Sequence, residues 1–312
     1  MRIFVTGVGG QLGHDVMNEL AKRGYEGVGS DIAPFYSGIA DGTAVTTMPY
    51  VQMDITDKAS VEKVIKEANV DAVIHCAAWT AVDAAEDEEN QPKVRLVNVT
   101  GTQNIADVCK ELDIKMLYLS TDYVFDGQGT TPWEPDCKDY KPLNVYGQTK
   151  LDGELAVSGT VDKFFIVRIA WVFKNGKNFI KTMINLGKTH DTLSVVNDQI
   201  GTPTYTYDLA RLLVDMIETE KYGYYHATNE GGYISWYDFT KEIFRQAAAM
   251  GHPEYLPENM TVNSVTTAEY GASKAARPFN SRLDKSKLTA NGFTPLPTWQ
   301  DALGRYLKEL DF

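Results

Sequence analysis

Arg2 to Thr6 (RIFVT) is a short apolar run that stops at a glycine. Gly7-Val8-Gly9-Gly10-Gln11-Leu12-Gly13 follows at once, and then Asp15 to Arg23, where apolar residues recur at helical spacing. A continuous apolar run is what a strand buried on both faces requires. The order is therefore strand, glycine turn, helix. Gly7, Gly10 and Gly13 fit G-x-x-G-x-x-G, in which each glycine has a separate job. The first permits a tight turn, the second lets backbone N–H groups approach a pyrophosphate, and the third lets helix and strand pack closely. A chain that opens this way is committed to a parallel α/β sheet with an anion site at the start of its first helix.

The rest of the first half repeats the unit. Tyr25 to Ser30 reads as a second strand ending at Asp31. An acidic residue there can accept hydrogen bonds from the adenosine ribose hydroxyls and repels a ribose phosphate. No Arg or Lys occurs in Ile32-Ala33-Pro34, so the expected cofactor is NADH, with NADPH as the alternative. Pro34 to Met48 is Gly- and Thr-rich and reads as an exposed loop. Gln52 to Asp57 ends a third strand and caps a helix from Lys58 to Ala68, with Thr56 or Asp57 able to supply the cap. Asp71 to Ala77 is another buried strand, followed by the small residues Ala77 and Ala78, where backbone can pass close to a ligand, and by a loop opening at Trp79. A helical stretch over 84–112 leads to a strand from Ile114 to Ser120, and Phe164 to Ile169 is a further one. The repeat predicts a doubly wound parallel α/β sheet, a Rossmann fold, whose ligands lie at the carboxyl ends of the strands. The glycine turn, Asp31, Ala77 and Thr121 all fall at such ends.

Composition narrows the function classes. The formal net charge of −12 over 312 residues argues against nucleic-acid or anionic-membrane partners, which need a basic face. The three cysteines form no C-x-x-C pair, so neither a disulfide framework nor a zinc site is expected, and no ligand cluster supports any other metal. The N-terminus starts directly in a strand, without a leader, and no apolar run reaches membrane length. The expected setting is cytoplasmic and reduced. From Ala170 onward aromatic residues become frequent, with helical stretches near Phe179–Gly187, Tyr205–Glu218, Trp236–Ala249 and Trp299–Leu310. This predicts a dinucleotide-binding domain over 1–169. Residues 170–312 then form mainly a smaller α/β substrate-binding lobe, with some segments returning to the first domain.

Chemistry enters with Tyr146-Gly147-Gln148-Thr149-Lys150. Tyrosine and lysine four residues apart share a helix face. A nearby ammonium favours phenolate, so the phenol is expected to fall from about 10 toward neutrality. Together with the Thr121 hydroxyl, the pair can converge over a nicotinamide. Tyr146 would deliver a proton to a carbonyl oxygen that accepts hydride, Thr121 would hold that oxygen, and Lys150 would tune the phenol and bind the ribose hydroxyls.

Several runs resemble those of extended short-chain dehydrogenases/reductases, and within that superfamily the dTDP-4-dehydrorhamnose reductase family. They are Gly10-Gln11-Leu12-Gly13, Ala77-Ala78-Trp79-Thr80-Ala81-Val82-Asp83, Ser120-Thr121-Asp122-Tyr123-Val124-Phe125, Pro142 to Lys150, Trp171-Val172, Asn197 to Thr204 and Arg277 to Leu283. The resemblance implies reduction of a nucleotide-sugar 4-keto group, with Thr121, Tyr146 and Lys150 catalytic. It places Gly7, Gly10, Gln11, Leu12, Gly13, Asp31, Asp54, Ala77, Ala78, Trp79 and Leu119, beside Tyr146 and Lys150, in the cofactor groove. It places Thr121, Asp122 and Trp171 against the substrate. For the substrate diphosphate, Arg282 is the first candidate, with Arg277, Lys174 and Lys177 behind it. A homodimer is left open. The connection from Ile32 to Tyr50 looks longer than the family's usual one. Two other readings compete: a related epimerase or dehydratase, and a non-catalytic cofactor-binding regulatory subunit.

Overall fold

The computed structural model describes residues 1–174, 176–271 and 273–310. β1 (Arg2–Thr6) runs into the glycine turn and α1 (Gln11–Lys22), and the chain continues through β2 (Glu26–Asp31) and β3 (Tyr50–Gln52). α2 (Lys58–Ala68) starts at Asp57, whose carboxylate accepts from the Ala59 and Ser60 amides; Asn69 ends it in the left-handed conformation, its amide donating to Lys66 O. β4 (Ala72–His75) follows.

The expected single helix over 84–112 is instead broken. A 3₁₀ turn at Ala84–Glu86 leads to α3 (Gln91–Arg95), a π-helical turn at Leu96–Gly101 and α4 (Thr102–Glu111). Asn98 and Gly101 lie in that π turn, and a Cβ at Gly101 would sit 2.7 Å from the Ile55 side chain. β5 (Lys115–Thr121), α5 (Val145–Thr160) and β6 (Phe164–Ile169) complete the first half.

Six of these strands form the central sheet, and its seventh member is Gly223–His226, from the second half of the chain, beside β6. The order from that edge is Gly223–His226, β6, β5, β4, β1, β2, β3, with every neighbouring pair parallel. The order in which strands are added reverses between β1 and β4, so the crevice for a ligand opens beyond their carboxyl ends. One apolar layer sits under α1 and includes Val16, Leu20, Ile74, Leu117 and Val167. Leu209, Leu213 and Ile217 of α7 (Thr206–Ile217) belong to the same layer. The opposite layer packs Ile65, Ile105, Val108 and Val157.

A third cluster builds the second lobe from α6 (Phe179–Gly187), α8 (Trp236–Ala249) and the helix Trp299–Leu307, around Phe173, Phe239, Ile243 and Leu303. Two short stretches, Thr192–Val196 and Thr261–Val265, pair in parallel as its small sheet. Among the described residues no helix is long and apolar enough to cross a membrane.

Candidate active site

A cavity of about 1170 Å³ opens at the strand ends. The glycine turn forms its floor. Gly7 has φ +70°, and a Cβ there would sit 2.7 Å from the Ala77 amide nitrogen. A Cβ at Gly13 would reach within 2.3 Å of the Gly7 carbonyl oxygen. The first glycine is thus required by both conformation and proximity, and the third by helix–turn contact. The Gly10 amide donates back to Gly7 O at 3.0 Å, closing the turn. Asp31 reaches across from β2: its Oδ2 accepts from Gly9 N at 3.0 Å and its Oδ1 from Ile32 N at 2.8 Å.

Gly7, Gly10, Gln11, Leu12, Gly13, Asp31, Asp54, Ala77, Ala78, Trp79 and Leu119 all line this one cavity, and so do Thr121, Asp122, Tyr146, Lys150 and Trp171. Asp54 Oδ1 is engaged by the Thr56 amide and hydroxyl, at 2.9 and 2.8 Å. Buried side-chain oxygens of Gln11, Ser30 and Ser120 have no partner among the described residues, and these three residues also line the cavity. A long groove with a glycine cradle at one end, the Asp31 carboxylate beside it and unpaired polar atoms along its wall fits a dinucleotide.

The reactive end is built on β5 and α5. Thr121 ends β5; its hydroxyl donates to Asp122 Oδ1 at 3.1 Å and accepts from Tyr123 N at 3.3 Å. α5 begins at Asn144, whose side-chain oxygen accepts from Gly147 N at 2.7 Å and whose amide donates to Ala276 O at 2.9 Å. Glu86 Oε1 takes the Val145 amide at 2.7 Å. Gly147 permits the closest approach, since a Cβ there would meet Tyr123 O at 2.4 Å. The helix start is therefore pinned from three sides, and the Tyr146 ring packs edge-on against Tyr123 at 5.7 Å between centroids.

Charge at this end differs from the expectation drawn from spacing. Burial and then the Asp122 carboxylate push the Tyr146 phenol well above its ordinary value, with the Thr121 hydroxyl pulling the other way. The expected fall toward neutrality is corrected accordingly. Helical spacing shows that Lys150 shares a face with Tyr146 but not that both are sealed from water. Burial likewise lowers the Lys150 amine to about 7, against the pull of Glu154. Its nitrogen sits 4.0 Å from the centroid of the Tyr118 ring. Burial raises the Asp122 carboxyl to about 6, opposed by the Ser281 and Thr121 hydroxyls.

Beneath Lys150 a chain of hydrogen bonds fixes the end of β4. Thr6 Oγ1 accepts from the Cys76 and Ala77 amides, both at 3.1 Å, so its proton goes to His75 Nδ1 at 2.7 Å. His75 Nε2 then donates to Thr102 Oγ1 at 3.2 Å, and Thr102 donates to Asn98 O at 2.8 Å. Burial, followed by the nearby Lys150 charge, drops His75 to about 3, so it stays neutral.

Sequence reasoning missed Asn98. Its amide holds Trp79 by both backbone groups, at 2.8 and 3.2 Å, and donates to Thr149 Oγ1 at 3.1 Å, tying the cofactor wall to α5. The signal was present only as a polar residue inside a helical run, and the π turn that aims it inward has no sequence signature. Trp236 was missed for a similar reason. It lines the cavity and stacks on Trp171 with centroids 3.6 Å apart. Trp171 itself has φ +49°, a strained conformation for a residue with a bulky side chain.

The cation candidates separate. Lys177 lines the cavity. Lys174 is buried against Asp15 at 2.6 Å, and Arg277 pairs with Asp83 at 2.6 Å. Arg282 donates to Asn280 Oδ1 at 3.0 Å and is not among the cavity-lining residues.

The family model described as RmlD substrate binding domain matches residues 1–312. The dTDP-4-dehydrorhamnose reductase of Aggregatibacter actinomycetemcomitans is 38% identical over 311 residues, covering 97% of each chain. The chain belongs to the dTDP-4-dehydrorhamnose reductase family. Solved members superpose closely. The Clostridium acetobutylicum ortholog has a TM-score of 0.86 at 36% identity, covering 100% of both chains. The Bacillus anthracis enzyme, crystallised in complex with NADP, has a TM-score of 0.84 at 36% identity, covering 99% of both.

Proposed function

We propose that this protein reduces the 4-keto group of dTDP-4-dehydro-L-rhamnose to give dTDP-L-rhamnose, using a nicotinamide cofactor. The observation that carries the reading is that Thr121, Tyr146 and Lys150 meet in the same cavity as the glycine cradle and Trp171. A reduced nicotinamide held there supplies hydride to the carbonyl carbon.

The protein's own groups manage the oxygen. Tyr146, kept protonated by burial, donates its proton to the oxygen as negative charge builds there. The Thr121 hydroxyl, whose one proton rests on Asp122 Oδ1 in the free site, turns that proton to the same oxygen when substrate is bound and so becomes a second donor. Lys150 stands close enough to neutrality to share a proton with the phenolate that Tyr146 becomes. Asp122 and Trp171 position the sugar, and Lys177 is a cation available to its diphosphate. Asp31 supports NADH as the cofactor, with NADPH the alternative that the Bacillus anthracis relative brings forward.

Residues 170–312 serve mainly as the substrate-binding lobe, while α7 and Gly223–His226 complete the dinucleotide-binding half. A homodimer and a cytoplasmic setting complete the reading; sedimentation velocity measures the first and cell fractionation the second.

An elimination enzyme of this fold needs an acidic group directly after Thr121-Asp122 to expel water, and this chain has Tyr123 there. An epimerase returns its cofactor unchanged. Mixing purified protein, NADH and dTDP-4-dehydro-L-rhamnose therefore separates the readings: stoichiometric loss of nicotinamide absorbance supports the reductase. No consumption with either NADH or NADPH removes it, and tight partner binding without turnover would then favour a regulatory subunit.

A further inference from the structure

The long connection between β2 and β3 is not explained by the reaction chemistry, and it lies over the cofactor groove. Ile32, Ser37, Gly38 and Ile39 line the same cavity as Gly9, Gly10, Asp31 and Asp54. The Gly38 amide nitrogen lies 3.8 Å from where a Gly9 Cβ would stand, directly beside the Asp31 carboxylate. Ile32 and Ile39 are both exposed, so they offer apolar surface to the groove, which Met53 and Ile55 also line. Apolar side chains flanking an acidic ribose acceptor suit a planar purine with its sugar.

The connection is tied down at both ends, and between them Tyr36 packs against the core cluster that includes α1. At its start the Tyr50 hydroxyl donates to Ala33 O. At its far end Asn18, on α1, donates to Thr43 Oγ1 and accepts from Val45 N, each at 2.9 Å. Beside the Tyr36 packing, Asp41 Oδ2 meets His14 Nε2 of α1 at 3.0 Å, and Thr43 Oγ1 stands 3.4 Å from the same nitrogen. The Asp41 carboxylate also receives the Thr43 hydroxyl and amide, at 2.6 and 3.0 Å.

His14 is a fixed post. It is buried, it follows Gly13 of the cradle, and its Nδ1 faces Asp15 Oδ1 at 3.3 Å. Asp15 is in turn held by Lys174 and by Thr206 of α7, both at 2.6 Å. A rigid post under the phosphate cradle and a carboxylate contact from the strap above it make a latch.

We propose that residues 33–43 cover the adenosine half of the bound dinucleotide, held over it by the Asp41–His14 contact. Asp41 is then a positioning residue for the cofactor with no part in the proton transfer at Tyr146. The proposal rests on the dinucleotide reading of the cavity and extends it to residues outside the glycine turn.

The test uses the full chain and ADP-ribose, which has the adenosine half and no nicotinamide. Asp41→Ala and Asp41→Asn are made at a surface position, so folding is checked simply by an unchanged melting temperature. Losing one charged hydrogen bond that orders the cover should weaken ADP-ribose binding by about three- to tenfold in calorimetry. KM for NADH should rise in step, while KM for the sugar nucleotide and kcat at saturating NADH stay within about twofold of the parent. Unchanged ADP-ribose affinity in both variants overturns the cover, as does a parent protein that does not bind ADP-ribose. If the parent binds ADP-ribose but fails to oxidise NADH with the keto sugar, the reductase reading fails. The affinities of the two variants then still decide the cover.

Discussion

Lys150 is buried at a cost to the fold that a substitution can expose. Burial takes its amine from an ordinary value of 10.5 to about 7, the neighbouring Glu154 only partly offsetting the effect. A folded-state value below the unfolded one means that the unfolded chain binds the proton more tightly between those two limits. Stability therefore rises with pH across that window, and the penalty is largest below about 7. At 1.36 kcal/mol for each tenfold change in proton affinity, the penalty is at most about 5 kcal/mol at pH 6 and falls to about 2 kcal/mol at pH 9. Lys150→Met keeps most of the side-chain volume and removes the charge. The cofactor-free variant should thus resist urea better than the parent by a few kcal/mol at pH 6, with the advantage shrinking by about 2–3 kcal/mol at pH 9. It should also lose reductase activity. Denaturation curves at several pH values decide the matter. A variant no more stable than the parent at pH 6, or an advantage that does not change with pH, would refute the claim that this amine is held nearly neutral.

Further outcomes follow from the same geometry. Tyr146→Phe should lower kcat by about two to four orders of magnitude, the usual share of a general acid, while NADH titrates as before; near-parental turnover removes Tyr146 as the proton donor. Asp31→Asn takes away the negative charge beside Gly9 and should shift the NADPH-to-NADH ratio of kcat/KM toward NADPH by about tenfold. An unmoved ratio would mean that selection lies elsewhere. Gly147→Ala places a methyl 2.4 Å from the Tyr123 carbonyl oxygen. It should cost about 1–3 kcal/mol and reduce kcat by displacing the start of α5; a variant with parental melting temperature and rate would show that the helix is not pinned there.

Local signals carried most of the fold. The strand–glycine–helix start, the Asp57 cap of α2 and the ranges of β6, α6 and α8 depend on neighbours a few residues apart, and spacing alone locates them. Pairing between distant segments has no such signature. The parallel match of Thr192–Val196 with Thr261–Val265 joins residues far apart in the chain. So does the placement of Gly223–His226 beside β6. The predicted cofactor and catalytic residues line one cavity because they sit at strand ends and in the first turns of helices, positions that a parallel sheet brings together automatically. Electrostatics was the least legible. That Tyr146 rises and Lys150 falls depends on exclusion of water, and nothing in a Tyr-x-x-x-Lys spacing reports burial. Arg282 illustrates the same limit for cations: its charge is plain in the sequence, but that its guanidinium turns to Asn280, two residues back, is not.

The seventh strand has a consequence for how this chain comes into being. β6 is wholly apolar across its middle and ends the run of sheet strands supplied by the first half. Its outer edge is paired only when Gly223–His226 arrives, more than fifty residues later. A nascent chain halted after Ile169 would present that edge unprotected, a template for pairing with other chains. Cutting the gene between the two lobes would therefore yield an aggregating fragment instead of a portable nucleotide-binding module, and synthesis must pass His226 before the sheet can close.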